Sequence, residues 1–97
     1  MRTRLTLGRT SEPADELRVL EWHLEVGDEF AKNDLLVELE TSKSLVEVRA
    51  PIDGFLRARL VEAGAWVSLG AVLAIVSQGN DDDADDGSLL PAVLEVV

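Results

Sequence analysis

Leu35-Leu36-Val37-Glu38-Leu39-Glu40, then Thr41-Ser42-Lys43-Ser44, then Leu45-Val46-Glu47-Val48: two aliphatic-rich runs flank four small or polar residues. This is the pattern of a β-hairpin whose four-residue loop is built on a type I turn. Leu35, Val37 and Leu39 share one face of the first strand, and Val46 and Val48 share one face of the second. Glu38, Glu40, Glu47 and Arg49 are left to face water. A slip of one residue would turn valines outward and charges inward, so the register is firmly specified. Lys43 stands at the tip, one of only two lysines among nine basic residues. From the hairpin alone it reads as a solvated turn lysine.

Working outward, 97 residues fit one small domain, too small for a large enzyme core with its own deep pocket. Hydrophobic residues make up 46% and aromatics 4%, so the core must be aliphatic. No cysteine is present, which excludes disulfides, thiolate metal sites and a cysteine nucleophile. The start lacks the apolar run of a signal peptide, and no stretch approaches a membrane span. A soluble, cytoplasmic protein with no membrane partner is the expectation. Of the formal charge of −10, half comes from Asp81, Asp82, Asp83, Asp85 and Asp86. An acidic domain of this kind is not expected to bind nucleic acid, which requires clustered lysine and arginine.

Arg2 to Leu7 alternates, with Arg2, Arg4 and Thr6 on one side and Thr3, Leu5 and Leu7 on the other. Gly8 to Asp15 reads as a surface loop. Leu17 to Val26 alternates again, predicting Leu20, Trp22, Leu24 and Val26 inward and Glu21, His23 and Glu25 outward. His23 is therefore expected at the surface without a catalytic or ligand role, since there is no second histidine and no evident partner. Pro51 and Gly54 turn the chain into a strand over Phe55 to Glu62, where Val61 breaks the phase and suggests a bulge. Trp66-Val67 is a short strand between Gly turns, and Val72 to Val76 an unbroken aliphatic one.

An internal repeat emerges at an offset of 37 residues: Leu24 to Phe30 matches Val61 to Val67, and Leu35 to Leu39 matches Val72 to Val76. Two copies of strand, Gly turn and strand predict an all-β flattened barrel or sandwich, two similar small sheets related by a pseudo-twofold.

Val26-Gly27-Asp28, Leu36 to Ser44 with its Glu40-Thr41-Ser42-Lys43, Val46 to Val48, Ala50-Pro51, Gly54, Gly64 and Gly70 together resemble the biotinyl/lipoyl domain family. The likeness is greatest to lipoyl domains of the acyltransferase components of 2-oxo acid dehydrogenases, and runs from residue 3 to about 77. It implies a barrel-sandwich hybrid of two four-stranded antiparallel sheets, with Lys43 joined by an amide to lipoic acid. Glu40, Thr41, Ser42 and Ser44 are implied as residues that modifying enzymes recognise. The implied role is a non-catalytic swinging arm that carries acyl groups as thioesters. The implied partners are a lipoate ligase, or an octanoyl transferase with lipoyl synthase, and the decarboxylase, acyltransferase and dihydrolipoamide dehydrogenase components of such a complex.

Three features depart from the family's habit: Ser42-Lys43-Ser44 stands where Asp-Lys-Ala is frequent, Ala65 follows Gly64, and Arg59 takes an often aliphatic place. Biotin carriers share the fold, but they usually flank the lysine with methionines, and here Ser42 and Ser44 occupy those positions. An unmodified adaptor domain that only binds a partner is the reading from another class.

Residues 78–88 read as an acidic flexible linker after a carrier domain of residues 1–77. A calcium loop counted from Asp81 fails, because Asp86 replaces the turn glycine and Ala92 the closing glutamate, so no metal site is expected. Residues 89–97 are apolar, and three fates stay open: an added strand, a surface for another chain, or a frayed end. The segment resembles neither a catalytic nor a subunit-binding part of an acyltransferase, so a stand-alone carrier is expected.

Overall fold

The structure, a computed structural model, describes residues 2–8, 16–79 and 85–96, with the side chains of 85–87 left aside. The loop expected at Gly8 to Asp15, most of the acidic linker and the aspartates of the rejected calcium loop fall largely outside these residues. The described chain is all strand and turn, and none of it forms a helix long and apolar enough to cross a membrane. The strands are β1 (Arg2–Thr6), β2 (Glu16–Trp22), β3 (Glu29–Phe30), β4 (Leu35–Glu40), β5 (Leu45–Arg49), β6 (Gly54–Arg59), β7 (Trp66–Ser68), β8 (Val72–Ser77), β9 (Asp85–Pro91) and β10 (Val93–Val96). They form two sheets, ordered β3-β6-β8-β1-β9 and β10-β5-β4-β2-β7, in a flattened sandwich and not a closed barrel.

The pseudo-twofold is written in the backbone. The Gly27 amide donates to Leu56 O and the Gly64 amide to Val19 O, each at 2.7 Å; the His23 amide donates to Leu36 O and the Leu60 amide to Leu73 O, each at 2.9 Å. Each of these pairs of bonds is related by the 37-residue offset. The turns agree: Gly27 and Gly64 have φ of 99° and 93°, and Asn33 and Gly70 have φ of 78° and 88°. Left-handed backbone is open to Gly and tolerated by Asn, which explains the residue types at the repeated turns.

Each sheet carries five strands where four were expected, because the C-terminal segment adds one to each. β9 runs parallel to β1, and β10 runs antiparallel to β5, with Val96 opposite Val46 and Leu94 opposite Val48. Residues 85–88, read as linker from their composition, belong to β9. The Ala92 amide donates to Thr6 O at 3.0 Å where the chain passes between the sheets, and Ala92 is buried. The segment thereby covers the edges of β1 and β5, whose unpaired backbone groups would otherwise invite pairing with another chain.

The inward faces meet in one aliphatic core that includes Leu5, Leu17, Leu36, Leu39, Val46, Val48, Leu56, Leu73 and Val76, each at 1% exposure or less. Burial of each such side chain contributes on the order of 1.5–3 kcal/mol. Bulges correct the sequence phases. One between Val19 and Glu21 lets Leu17 and Val19 point inward, against the predicted phase. β2 then ends at Trp22, so Val26 lies at a turn and is 56% exposed, not inward as expected. One between Leu5 and Thr6 buries Thr6 beside Leu5. The bulge expected near Val61 falls earlier, between Leu56 and Ala58.

Candidate functional site

β4 and β5 pair in the register the alternation required: Val37 opposite Val48, Glu38 opposite Glu47, Leu39 opposite Val46 and Glu40 opposite Leu45. Val37, Leu39, Val46 and Val48 are fully buried, so the hairpin is fixed to the core along both strands. A tip so anchored stands at a defined place.

The four-residue tip is organised by Thr41. Its amide donates to Ser44 O at 2.9 Å, and its Oγ1 accepts from the Lys43 amide at 3.1 Å and the Ser44 amide at 2.9 Å. A hydroxyl that accepts from following amides replaces the hydrogen bonds a longer ladder would supply. Neither glycine nor positive φ is needed at this turn. Ser42 and Lys43 are exposed, and Thr41 and Ser44 half-buried. Lys43 has no ion-pair partner among the described residues. Glu40, the nearest acid in sequence, turns instead to Arg18 on β2, with Nη1 to Oε1 at 3.5 Å.

Arg18 is a site neighbour that sequence reading missed. It pairs with Glu40 on one side and Trp66 on the other, so Leu45, Glu40, Arg18 and Trp66 form one rung across four strands beside the tip. Both ends are apolar and open, Leu45 at 41% and Trp66 at 63% exposure. The available signal was Trp66 in a short strand, but its neighbour depends on strand order.

A second rung on the same face holds four glutamates: Glu21 opposite Glu38, Glu38 opposite Glu47 and Glu47 opposite Glu95. Like charges directly opposite are destabilising. Arg49 offsets them at one end, with Nη2 on Glu47 Oε1 and Nε on Glu95 Oε2, both at 2.8 Å. Hydrogen bonds to Glu47 and then Glu95 raise the already high pKa of its guanidinium. At the other end His23, expected to have no partner, lies 2.6 Å from Glu38.

Residues 5–76 match the model of the family Biotin_lipoyl, described as "Biotin-requiring enzyme". The chain is 32% identical over 81 residues to the dihydrolipoyllysine-residue acetyltransferase component of the acetoin cleaving system of Pseudomonas putida, covering 84% of this chain and 22% of that one. It is 36% identical over 69 residues to the dihydrolipoyllysine-residue succinyltransferase component of the 2-oxoglutarate dehydrogenase complex of Escherichia coli (strain K12), covering 71% and 17%. It is 28% identical over 82 residues to the dihydrolipoyllysine-residue acetyltransferase component of the pyruvate dehydrogenase complex of Staphylococcus aureus (strain Mu50), covering 75% and 19%. It thus spans about a fifth of the length of these curated relatives. With a sandwich of two repeated sheets, a lysine at the tip of a registered hairpin and a family match over most of its length, the chain belongs to the biotinyl/lipoyl domain family.

Proposed function

We propose that this chain is a lipoyl carrier domain in which Lys43, joined by an amide to lipoic acid, moves acyl groups between the active sites of a 2-oxo acid dehydrogenase-type complex. The observation that carries the reading is Lys43 itself, exposed at the tip of a hairpin held by four fully buried side chains. The relatives, all dihydrolipoyllysine-residue acetyl- or succinyltransferase components, support lipoate as the group.

The residues suit it. Lys43 supplies the amine, Thr41 fixes the backbone on which it stands, and Ser42 and Ser44 flank it without bulk. An alkyl ammonium is a poor nucleophile at neutral pH, so a ligase or transferase has to remove its proton and present an activated acyl group. Amide formation then removes the lysine's charge. Bound lipoate supplies the dithiol and disulfide couple that a chain without cysteine cannot. The domain's own contribution is positional: tethering makes the second encounter intramolecular, with effective concentrations on the order of mM. Catalysis then resides in the decarboxylase, acyltransferase and dihydrolipoamide dehydrogenase partners, and modification in a lipoate ligase or an octanoyl transferase with lipoyl synthase.

Biotin is the second reading, favoured by the family's description. Serines at 42 and 44, in place of the methionines usual around a biotinyl lysine, weigh against it. Intact mass of the protein made in cells that synthesise both cofactors tests the proposal. A lipoyl adduct lost in Lys43→Ala is expected. A biotinyl adduct, no adduct, or one that survives Lys43→Ala overturns it.

A further inference from the structure

The glutamate rung is balanced unevenly. Arg49 serves Glu47 and Glu95 at one end, whereas at the other the imidazole of His23 lies beside both Glu21 and Glu38. One imidazole faces two carboxylates. His23 Nε2 lies 2.6 Å from Glu38 Oε1 and 3.8 Å from Glu21 Oε2, and one potential ligand atom from each residue falls within a 4.8 Å span. We propose that Glu21, His23 and Glu38 form a surface site for a divalent transition-metal ion of the zinc class, separate from the Lys43 tip.

The chemistry of the donors selects that class. Zinc binds imidazole nitrogen and carboxylate oxygen at about 2.0–2.2 Å in a tetrahedron, which places neighbouring ligand atoms roughly 3.4 Å apart. The observed 2.6 and 3.8 Å bracket that spacing, so side-chain rotation suffices and the backbone need not move. Calcium and magnesium prefer sites made wholly of oxygen, which the histidine disfavours. The two carboxylates neutralise the ion's charge, and the imidazole binds through Nε2 in its neutral form with its single ring proton on Nδ1.

The frame is stiff on one side and open on the other. Glu21 and Glu38 are direct cross-strand partners, and the His23 amide is bonded to Leu36 O at 2.9 Å, so all three are set by the β2–β4 ladder. The side chains of His23 and Glu38 are 32% and 26% exposed and that of Glu21 is 68% exposed, leaving room for water as the remaining ligand. A bound ion ties β2 to β4, the strand that leads into the tip.

The test is calorimetric titration of the full chain with zinc chloride in metal-free buffer, with histidine ring NMR as a second readout. Binding of one zinc per chain in the micromolar range is expected, with a shift of the carbon-bound ring proton signals of His23 and a rise in Tm. His23→Ala and Glu38→Gln should each weaken it roughly tenfold or more. Glu95→Gln, at the far end of the rung, should leave it unchanged. Both weakening variants alter surface side chains, and their circular dichroism without zinc checks the fold. No saturable binding below millimolar zinc overturns the proposal. So does binding that survives His23→Ala, which would assign the metal to the aspartates of residues 81–86.

Discussion

The Thr41 hydroxyl oxygen lies 3.1 Å from the Lys43 amide nitrogen and 2.9 Å from that of Ser44, so one side chain sets the backbone on both sides of the lysine. Thr41→Ala removes both acceptors, and a loss of about 1 kcal/mol is expected on chemical denaturation. Thr41→Ser keeps the oxygen and should restore most of it. If the turn presents Lys43 to a modifying enzyme, the alanine variant is lipoylated more slowly, with the serine variant close to wild type.

Gly54 has no room for a side chain. A Cβ built there would sit 2.5 Å from Ser77 O and 3.1 Å from Phe30 Cζ, and the first of these is backbone that cannot swing aside. Gly54→Ala is expected to destabilise the domain by roughly 1–3 kcal/mol, read as a lower denaturant midpoint at unchanged slope.

Asn33 and Gly70 hold equivalent turns with φ of 78° and 88°, yet differ in residue type. Gly70→Ala should cost about 1–2 kcal/mol through the left-handed backbone alone, since nothing lies within 4 Å of the added Cβ. Asn33→Gly should be nearly neutral, within about 0.5 kcal/mol, because Asn is already among the residues that tolerate this conformation. Thermal unfolding of the two variants checks both.

Arg49→Met leaves Glu47 and Glu95 facing each other uncompensated, and a lower Tm is expected. Adding Glu47→Gln should recover part of it, and raised salt should narrow the gap between Arg49→Met and wild type. Because its partners raise the arginine's pKa, the favourable interaction is complete below the ordinary arginine range and is lost only as pH rises through the higher folded value. The Arg49 side of this pair is therefore silent between pH 5 and 9, where a Tm profile can be measured.

Leu94 is half-buried against the core and sits opposite Val48 in the added strand. Leu94→Ala should cost about 1–2 kcal/mol. It should also raise hydrogen exchange along β5, with the largest change at amides bonded to β10.

The hairpin register was legible because Val37, Leu39, Val46 and Val48 alternate with charges, and the pseudo-twofold because Gly27 and Gly64 recur at the repeat distance. Trp22 shows where alternation stops being sufficient: a bulge after Val19 resets the phase of β2, and no local residue type announces it. Leu89 to Val96 was undecided because it is apolar on both faces of the pattern, and what it pairs with, β1 and β5, is fixed by strand order across the molecule. The nearness of His23 to Glu38, and of Arg18 to Glu40 and Trp66, likewise follows from which strands are neighbours. The identity of Lys43 as the tip residue needed none of this, since a hairpin is local.

The rung of Leu45, Glu40, Arg18 and Trp66 is assembled from segments far apart in the chain. A newly made or partly unfolded polypeptide contains the lysine and its flanking residues but does not possess this surface. Any enzyme that grips the rung as well as the lysine therefore inspects conformation before it acts, and defective copies go uncharged.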